Sequence, residues 1–148
     1  MQIATSKAKC ASCGAAFLTP DLGEFSYGQA LFRGEKGNVF AYFNAVGHPV
    51  WEFVESVLPS AGDDRTRIAI GARIQAACAH IADPVNGQQL VNEHVCPVCQ
   101  SSKLEWWGGE RVGLMEVADV SYKHFLSQPE IERRRLILEF DSRKKDRA

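Results

Sequence analysis

The sequence predicts an α+β fold in which small antiparallel β-hairpins surround a four-cysteine site. Two observations carry this prediction. Two C-x-x-C pairs, Cys10/Cys13 and Cys96/Cys99, stand far apart in the chain. Between them, the spacing of apolar residues changes from alternating to helical. We therefore expect a hairpin-helix-helix insert between the two cysteine knuckles, and a helix near the C-terminus.

Composition places the chain among soluble globular proteins, because 45% of its residues are hydrophobic and 24% are charged. A formal net charge of −1 argues against a uniformly basic nucleic-acid coat protein but allows a local basic patch. No apolar run approaches the ~20 residues that span a bilayer. The N-terminal MQIATSKAKCASC lacks the apolar core of a secretory signal. We therefore expect a cytoplasmic protein with no membrane partner.

The first predicted hairpin follows the first cysteine pair. Residues 23–33 are aromatic and moderately alternating, which favours a strand. The turn-prone GEKGN of residues 34–38 separates them from the apolar run at 39–46. Both faces of this second strand are apolar, so we expect it to be covered on both sides.

Two helices are predicted next. The first opens at residues 47–49, since proline is tolerated in a first helical turn, and it stops at the PSAG of 59–62. The second begins near the acidic residues 63–64, which favour the positive end of a helix. It runs to about Ala82 and halts before Pro84.

The following segment contains the second cysteine pair. Residues 89–95 are predicted as a short strand that leads into it. Residues 103–107 and 111–118, joined by Gly108-Gly109, predict a second hairpin.

A C-terminal helix is predicted over about 129–145. Ser127 and Glu130 have the spacing of a capping box, and Pro129 suits the first turn. Residues 134–140 also alternate acceptably as a strand, so this alternative stays open.

The length of 148 residues suits one domain. We expect a metal lobe from 8–19 and 89–118, an inserted hairpin with two helices at 20–88, and a C-terminal helix at 127–146.

The five cysteines indicate a metal site. Reducing compartments disfavour disulfides, and paired C-x-x-C motifs there favour metal binding over ordinary thiols. Zinc accepts four thiolates in a tetrahedron, and four leave no open position for a substrate. Cys10, Cys13, Cys96 and Cys99 are therefore the predicted ligands of a structural zinc ion.

Both cysteine segments resemble the knuckles of zinc ribbons and rubredoxin-like proteins. In CASCGAAFLTPDLG, residues 10–23, C-x-x-C-G precedes an aromatic residue, a proline and a glycine. In CPVCQSSKLEW, residues 96–106, C-P-x-C precedes a short turn and an aromatic residue. The resemblance covers these segments alone and implies the same four cysteines as ligands of zinc or iron. The long insert and Gln100, where rubredoxins usually carry glycine, count against electron transfer by iron.

The fifth cysteine, Cys78, lies on the apolar stripe of the second predicted helix. A nucleophilic role with His80 or His94 as base is one interpretation. Core packing is favoured, because buried free cysteine behaves as a small hydrophobe. His94 lies two residues before Cys96, where a supporting or surface role is favoured over ligation.

Two groups of residues are candidate partner contacts. Trp106 and Trp107 could form a stacking platform, although neighbours in a strand face opposite sides, so we expect one in the core. Arg133, Arg134 and Arg135, with the basic residues 143–147, could contact phosphates. Their acidic neighbours favour a solvated helix face instead.

The functional hypothesis is a non-enzymatic, zinc-stabilised binding or adaptor protein, with a protein partner slightly favoured over nucleic acid. A rubredoxin-like iron electron carrier is the first alternative. An enzyme with zinc as scaffold ranks last, because the sequence has no phosphate-binding glycine loop, no His-Glu metalloprotease helix and no nucleophile elbow.

Overall fold

The computed structural model describes residues 1–23, 26–58 and 64–146. Eight strands and four helices occur there, as β1 (Gln2–Cys10), β2 (Ala16–Pro20), β3 (Gln29–Gly34), β4 (Phe40–Asn44), α1 (Pro49–Val57), α2 (Asp64–His80), β5 (Leu90–Val91), β6 (Leu104–Trp107), β7 (Leu114–Glu116), β8 (Ala118–Asp119), α3 (Lys123–Ser127) and α4 (Glu130–Asp146). The predicted α+β class is confirmed, with a hairpin and two helices between the cysteine knuckles and a C-terminal helix.

The chain divides into two compact units. The strand unit comprises Met1–Val46 and Pro84–Val120, and the helical unit comprises Gly47–Asp83 and Ser121–Ala148. All eight strands belong to the first unit and all four helices to the second. The single domain expected from chain length, with its lobe, insert and C-terminal helix, stays a prediction.

β1 is the central strand of the first sheet. It pairs antiparallel with β2 along one edge, and with β6 and β7 along the other. The predicted pairing of 103–107 with 111–118 is therefore wrong, because both segments pair with β1. The sequence of β1, QIATSKAKC, shows little apolar alternation, so local pattern does not predict the strand with which both segments pair.

The second sheet has the order β5-β3-β4-β8. Its β3–β4 hairpin confirms the predicted one, and the rings of Phe32 and Phe43 stack at 5.3 Å between centroids. β8 joins β4 in parallel. β5 is shorter than the predicted strand at 89–95, and residues 24–25 of the other predicted strand lie outside the described residues.

A small apolar core joins these strands. Ile3 of β1, Leu31 of β3, Phe40 of β4 and Val117 form one buried cluster. Met115 of β7 packs against it. Burial of this cluster explains why the N-terminal strand is held in the strand unit despite its polar sequence.

The helical unit confirms three predicted helices, α1, α2 and α4. The predicted stop at 59–62 and the acidic residue Asp63 lie outside the described residues. The strand alternative at 134–140 is wrong, since those residues lie within α4. The capping box is also wrong, because Ser127 ends α3 and its Oγ donates to the His124 carbonyl at 2.6 Å.

The helices pack through a conventional apolar core. Its fully buried members include Val50, Val54, Ile74, Cys78, Phe125 and Ile137. An ion pair accompanies it, with Arg73 Nη2 and Asp141 Oδ2 2.6 Å apart. Among the described residues, no helix is both long enough and apolar enough to cross a membrane.

Candidate metal centre

The two cysteine knuckles meet in the strand unit. The Sγ atoms of Cys10, Cys13, Cys96 and Cys99 all lie within 4.8 Å of one another. Cys10 Sγ is 3.6 Å from Cys99 Sγ, and Cys13 Sγ is 3.6 Å from Cys96 Sγ. A tetrahedron with metal–sulfur bonds of ~2.3 Å has edges of about 3.8 Å. The four thiols therefore have the spacing that one metal ion requires.

Strand pairing brings these distant segments together. The first knuckle begins at the end of β1, and the second knuckle precedes β6. β1 and β6 are paired so that Cys10 lies opposite Leu104. The Ala11 N–H donates to the Lys103 carbonyl at 3.0 Å, and the hydroxyls of Ser12 and Ser101 are 2.8 Å apart.

The knuckles repeat the same hydrogen bonds to sulfur. The Ser12 N–H lies 3.3 Å from Cys10 Sγ, and the Val98 N–H lies 3.4 Å from Cys96 Sγ. Each donor follows its cysteine by two residues. N–H groups directed at sulfur stabilise the thiolate, which is the form that binds metals.

The backbone after each knuckle is also alike. The Gly14 N–H donates to the Cys10 carbonyl at 3.1 Å, and the Gln100 N–H donates to the Cys96 carbonyl at 2.9 Å. Gly14 has φ 75° and Gln100 has φ 63°. Gln100 therefore adopts the left-handed conformation that glycine takes in the first knuckle, so this departure from the rubredoxin pattern does not alter the turn.

Hydrogen bonds and neighbouring thiols shift the pKa values of two cysteines of the cluster in opposite directions. Hydrogen bonds from the backbone N–H groups of Cys13 and Ser12 outweigh desolvation and lower the pKa of Cys10 to about 6. At Cys99 the Ser101 N–H has a lowering effect, yet desolvation and the three neighbouring thiols raise the pKa to about 12. A metal cation stabilises all four thiolates together.

The cluster is half covered by the protein. Cys10 and Cys96 are buried, whereas Cys13 and Cys99 are exposed. The β3–β4 turn lies against the second knuckle, since a Cβ added to Gly37 would lie only 2.6 Å from the Val95 carbonyl oxygen. Gly37 also has φ 81°. The turn and the knuckle can approach this closely only because residue 37 has no side chain.

Cys78 does not join the cluster. It is fully buried in the helical unit, and burial raises the pKa of its thiol to about 12. The Tyr122 hydroxyl donates to the Cys78 carbonyl at 2.8 Å. A thiol held in its protonated form is a poor nucleophile, so the structure agrees with core packing.

His94 lies near the second knuckle but outside the four-sulfur cluster. Its ring centroid is 5.1 Å from that of Trp107. Burial, and secondarily the charge of Arg33, lower the pKa of His94 to about 4. His94 is therefore a neutral ring that packs against Trp107, and its supporting or surface role stays a prediction.

The predicted core position for one tryptophan is wrong. Trp106 and Trp107 are each 45% exposed. They do face opposite sides, because Trp106 pairs with Lys9 and Trp107 pairs with Ala8.

The three predicted arginine contacts lie in the helical unit. The Arg133 guanidinium carbon is 5.0 Å from the centre of the Phe53 ring. Arg134 pairs with Glu130 at 3.8 Å. Arg135 pairs with Glu132 and with Glu139. Acidic partners on the same helix therefore offset much of this positive charge.

Sequence reasoning missed a buried charge, Arg33. It is 6% exposed and donates to the Leu31 carbonyl at 3.1 Å and to Thr19 Oγ1 at 3.5 Å. Within the described ranges, no carboxylate lies at ion-pair distance. Burial lowers the pKa of Arg33 to about 10. Its position at the end of an apolar strand gave no signal of this burial.

Comparison of the chain with protein-family models, with curated proteins and with solved structures finds no match. The resemblance to known metal knuckles therefore consists of the cysteine segments, and the geometry above is what supports a metal-binding site.

Proposed function

We propose that this chain is a non-enzymatic, zinc-stabilised binding or adaptor protein. One observation carries the proposal: two separate C-x-x-C turns bring four Sγ atoms within 4.8 Å of one another. Such a set suits a closed tetrahedral zinc site. Cys10, Cys13, Cys96 and Cys99 are the proposed ligands, and zinc is the proposed ion in place of iron.

The proposed role of the zinc ion is structural. Four thiolates fill a tetrahedral site, so no position remains for water or substrate. The ion would join the end of β1 to the turn before β6 and close the long chain segment between the knuckles. Closing a loop in this way offsets chain entropy and couples metal binding to folding.

The proposed location is a reducing compartment such as the cytoplasm. Cys13 and Cys99 are exposed, and exposed thiols close to one another oxidise to disulfides in oxidising compartments. A reducing environment keeps all four thiols available for zinc.

Elemental mass spectrometry of the purified protein tests the proposal, with three samples compared. Wild type should carry one zinc ion per chain. Cys96→Ser should lose the ion and unfold or aggregate, because binding and folding are coupled. Cys78→Ser is the matched control, since it removes another fully buried thiol outside the cluster. It should keep the zinc ion and lose about 1–2 kcal/mol of stability by burying a hydroxyl.

Three results would contradict the proposal. Iron in place of zinc, with a red colour and a reversible one-electron wave, would identify an electron carrier instead. Wild-type protein without metal, or equal behaviour of the two serine variants, would show that the four cysteines are not a metal site.

A further inference from the structure

We propose that the exposed face of the β2–β1–β6 sheet binds single-stranded nucleic acid, an inference that rests on the zinc-stabilised fold proposed above. This outer face carries Lys7 and Lys9 of β1, Leu18 of β2 and Trp106 of β6. Lys103 directly precedes β6 and is exposed.

The alternation of β1 defines the outer face. Ile3 and Thr5, on one side of the strand, are buried, so only the part of that side from Lys7 onward is exposed. Ser6, Ala8 and Cys10 are buried with no exposed surface and define the covered side. Lys7 and Lys9 lie between them and are exposed or half-buried. Successive strand residues face opposite sides, so the two lysines project together, about 7 Å apart along the strand.

An aromatic ring and an aliphatic side chain lie beside these lysines. Strand register places Trp106 opposite Lys9 and Leu18 opposite Lys7. Trp106 is 45% exposed and Leu18 is 46% exposed. A base can stack on such a ring only when it is not stacked in a duplex, which selects single strands. Stacking of this kind tolerates any base, because every base has a π-face.

The lysines supply charge complementary to phosphates. In the part of the chain that the structure describes, Lys7 and Lys103 have no ion-pair partner. Lys9 lies 3.4 Å from Glu105, and both side chains are substantially exposed. Exposed pairs of this kind are weak, so a phosphate can compete for Lys9. An acidic peptide would satisfy the lysines but would make less use of Trp106.

The arginines of α4 are a poorer phosphate site. Arg134 and Arg135 already pair with acidic residues of their own helix. The outer face keeps more of its positive charge available, even though the net charge of the chain is −1. The contact is therefore expected at the sheet and not at the C-terminal helix.

Fluorescence anisotropy with labelled dT15 and rU15 oligonucleotides tests the inference on the zinc-loaded full chain. Sequence-independent binding should have a Kd on the order of 10⁻⁴–10⁻⁶ M at physiological salt. Contacts from three lysines to phosphates give a slope of log K against log salt of about −2.

Variants of the two tryptophans locate the site. Trp106→Ala should weaken binding by about five- to hundredfold through lost stacking. Trp107→Ala is the matched control: it removes the same side chain, with the same 45% exposure, from the opposite face of the same strand. It should change the Kd less than twofold. Lys7→Glu with Lys103→Glu should weaken binding and flatten the salt slope, whereas Arg134→Glu with Arg135→Glu should not.

The zinc content of every sample is measured, so that a failure of this inference can be told apart from a failure of the proposed function. A zinc-loaded wild type that binds neither oligonucleotide overturns this inference and leaves the proposed function standing. Equal losses from Trp106→Ala and Trp107→Ala, or equal binding of poly-glutamate, also overturn it. Protein without metal overturns the proposed function itself.

Discussion

The residue that follows each cysteine pair determines how much backbone strain the knuckle carries. Gly14 and Gln100 occupy equivalent positions, with φ 75° and φ 63°. Glycine adopts this left-handed conformation without strain, whereas other L-residues pay about 1–2 kcal/mol. The Gln100 side-chain amide donates to the Pro97 carbonyl at 3.4 Å, a long and weak contact. The second knuckle therefore carries backbone strain that the first avoids.

Substitutions at these two positions should reveal this strain. Gln100→Gly should raise the free energy of unfolding by about 1 kcal/mol, because it relieves the left-handed residue. Gly14→Ala should lower the free energy of unfolding by a similar amount. The cause is the positive φ of this residue alone, since an added Cβ meets no atom within 4 Å. Urea unfolding of zinc-loaded protein measures both. Shifts of the same sign in the two variants would refute the equivalence of the knuckles.

At the scale of elements, α3 depends on a residue outside it. The helix has only five residues, too few for independent stability. Asp83 supplies the missing partners: Oδ2 accepts from the Lys123 N–H at 2.9 Å and from the Ser121 hydroxyl at 2.7 Å, and Oδ1 accepts from the His124 N–H at 3.1 Å. A carboxylate thus satisfies the free N–H groups that begin the helix.

Asp83→Ala should therefore lower the free energy of unfolding by about 1–2 kcal/mol at pH 7, as expected for loss of a helix cap. Desolvation raises the pKa of Asp83, but the hydrogen bonds from Ser121, His124 and Lys123 outweigh it, so the pKa is below its usual 3.8. The contribution is present above the ordinary pKa and disappears as pH falls through the lower folded value.

The free energies of unfolding of wild type and Asp83→Ala are measured with denaturant between about pH 2 and about pH 7, a range that includes the carboxyl pKa. The stability difference should shrink in acid. Asp83→Asn is the control, because it keeps an acceptor oxygen without charge. It should lose less stability at pH 7 than Asp83→Ala does. A difference that stays constant with pH would exclude the charged cap.

At the scale of the whole molecule, the proposed metal site and the helices are linked through the chain. The strand unit is built from Met1–Val46 and Pro84–Val120, so α1 and α2 lie in the segment between the two knuckles. A metal ion that joins Cys13 to Cys96 would close a loop containing both helices. Loss of the ion would free both ends of that segment.

Metal removal should therefore destabilise both units together. Titration with a thiol-reactive mercurial should lower the helical signal at far-ultraviolet wavelengths and the tryptophan fluorescence with one midpoint. A Trp51→Phe background leaves Trp106 and Trp107, both in the strand unit, as the fluorescent residues. Helical signal that survives after the fluorescence change is complete would show two independent domains.

Local patterns in the sequence determined a large part of this protein. C-x-x-C spacing identified the four cysteines that cluster, apolar spacing predicted α1, α2 and the β3–β4 hairpin, and a buried helix stripe predicted the core position of Cys78. Each of these depends on neighbours within a few residues, where turn geometry and periodicity act directly.

Only the tertiary structure decided the partners of β1, the solvent contact of both tryptophans and the helix capped by Asp83. β1 has a polar sequence, and its edges are filled by strands from distant parts of the chain. Long-range strand pairing of this kind depends on how the whole unit buries its side chains. The local spacing of residues does not contain that information.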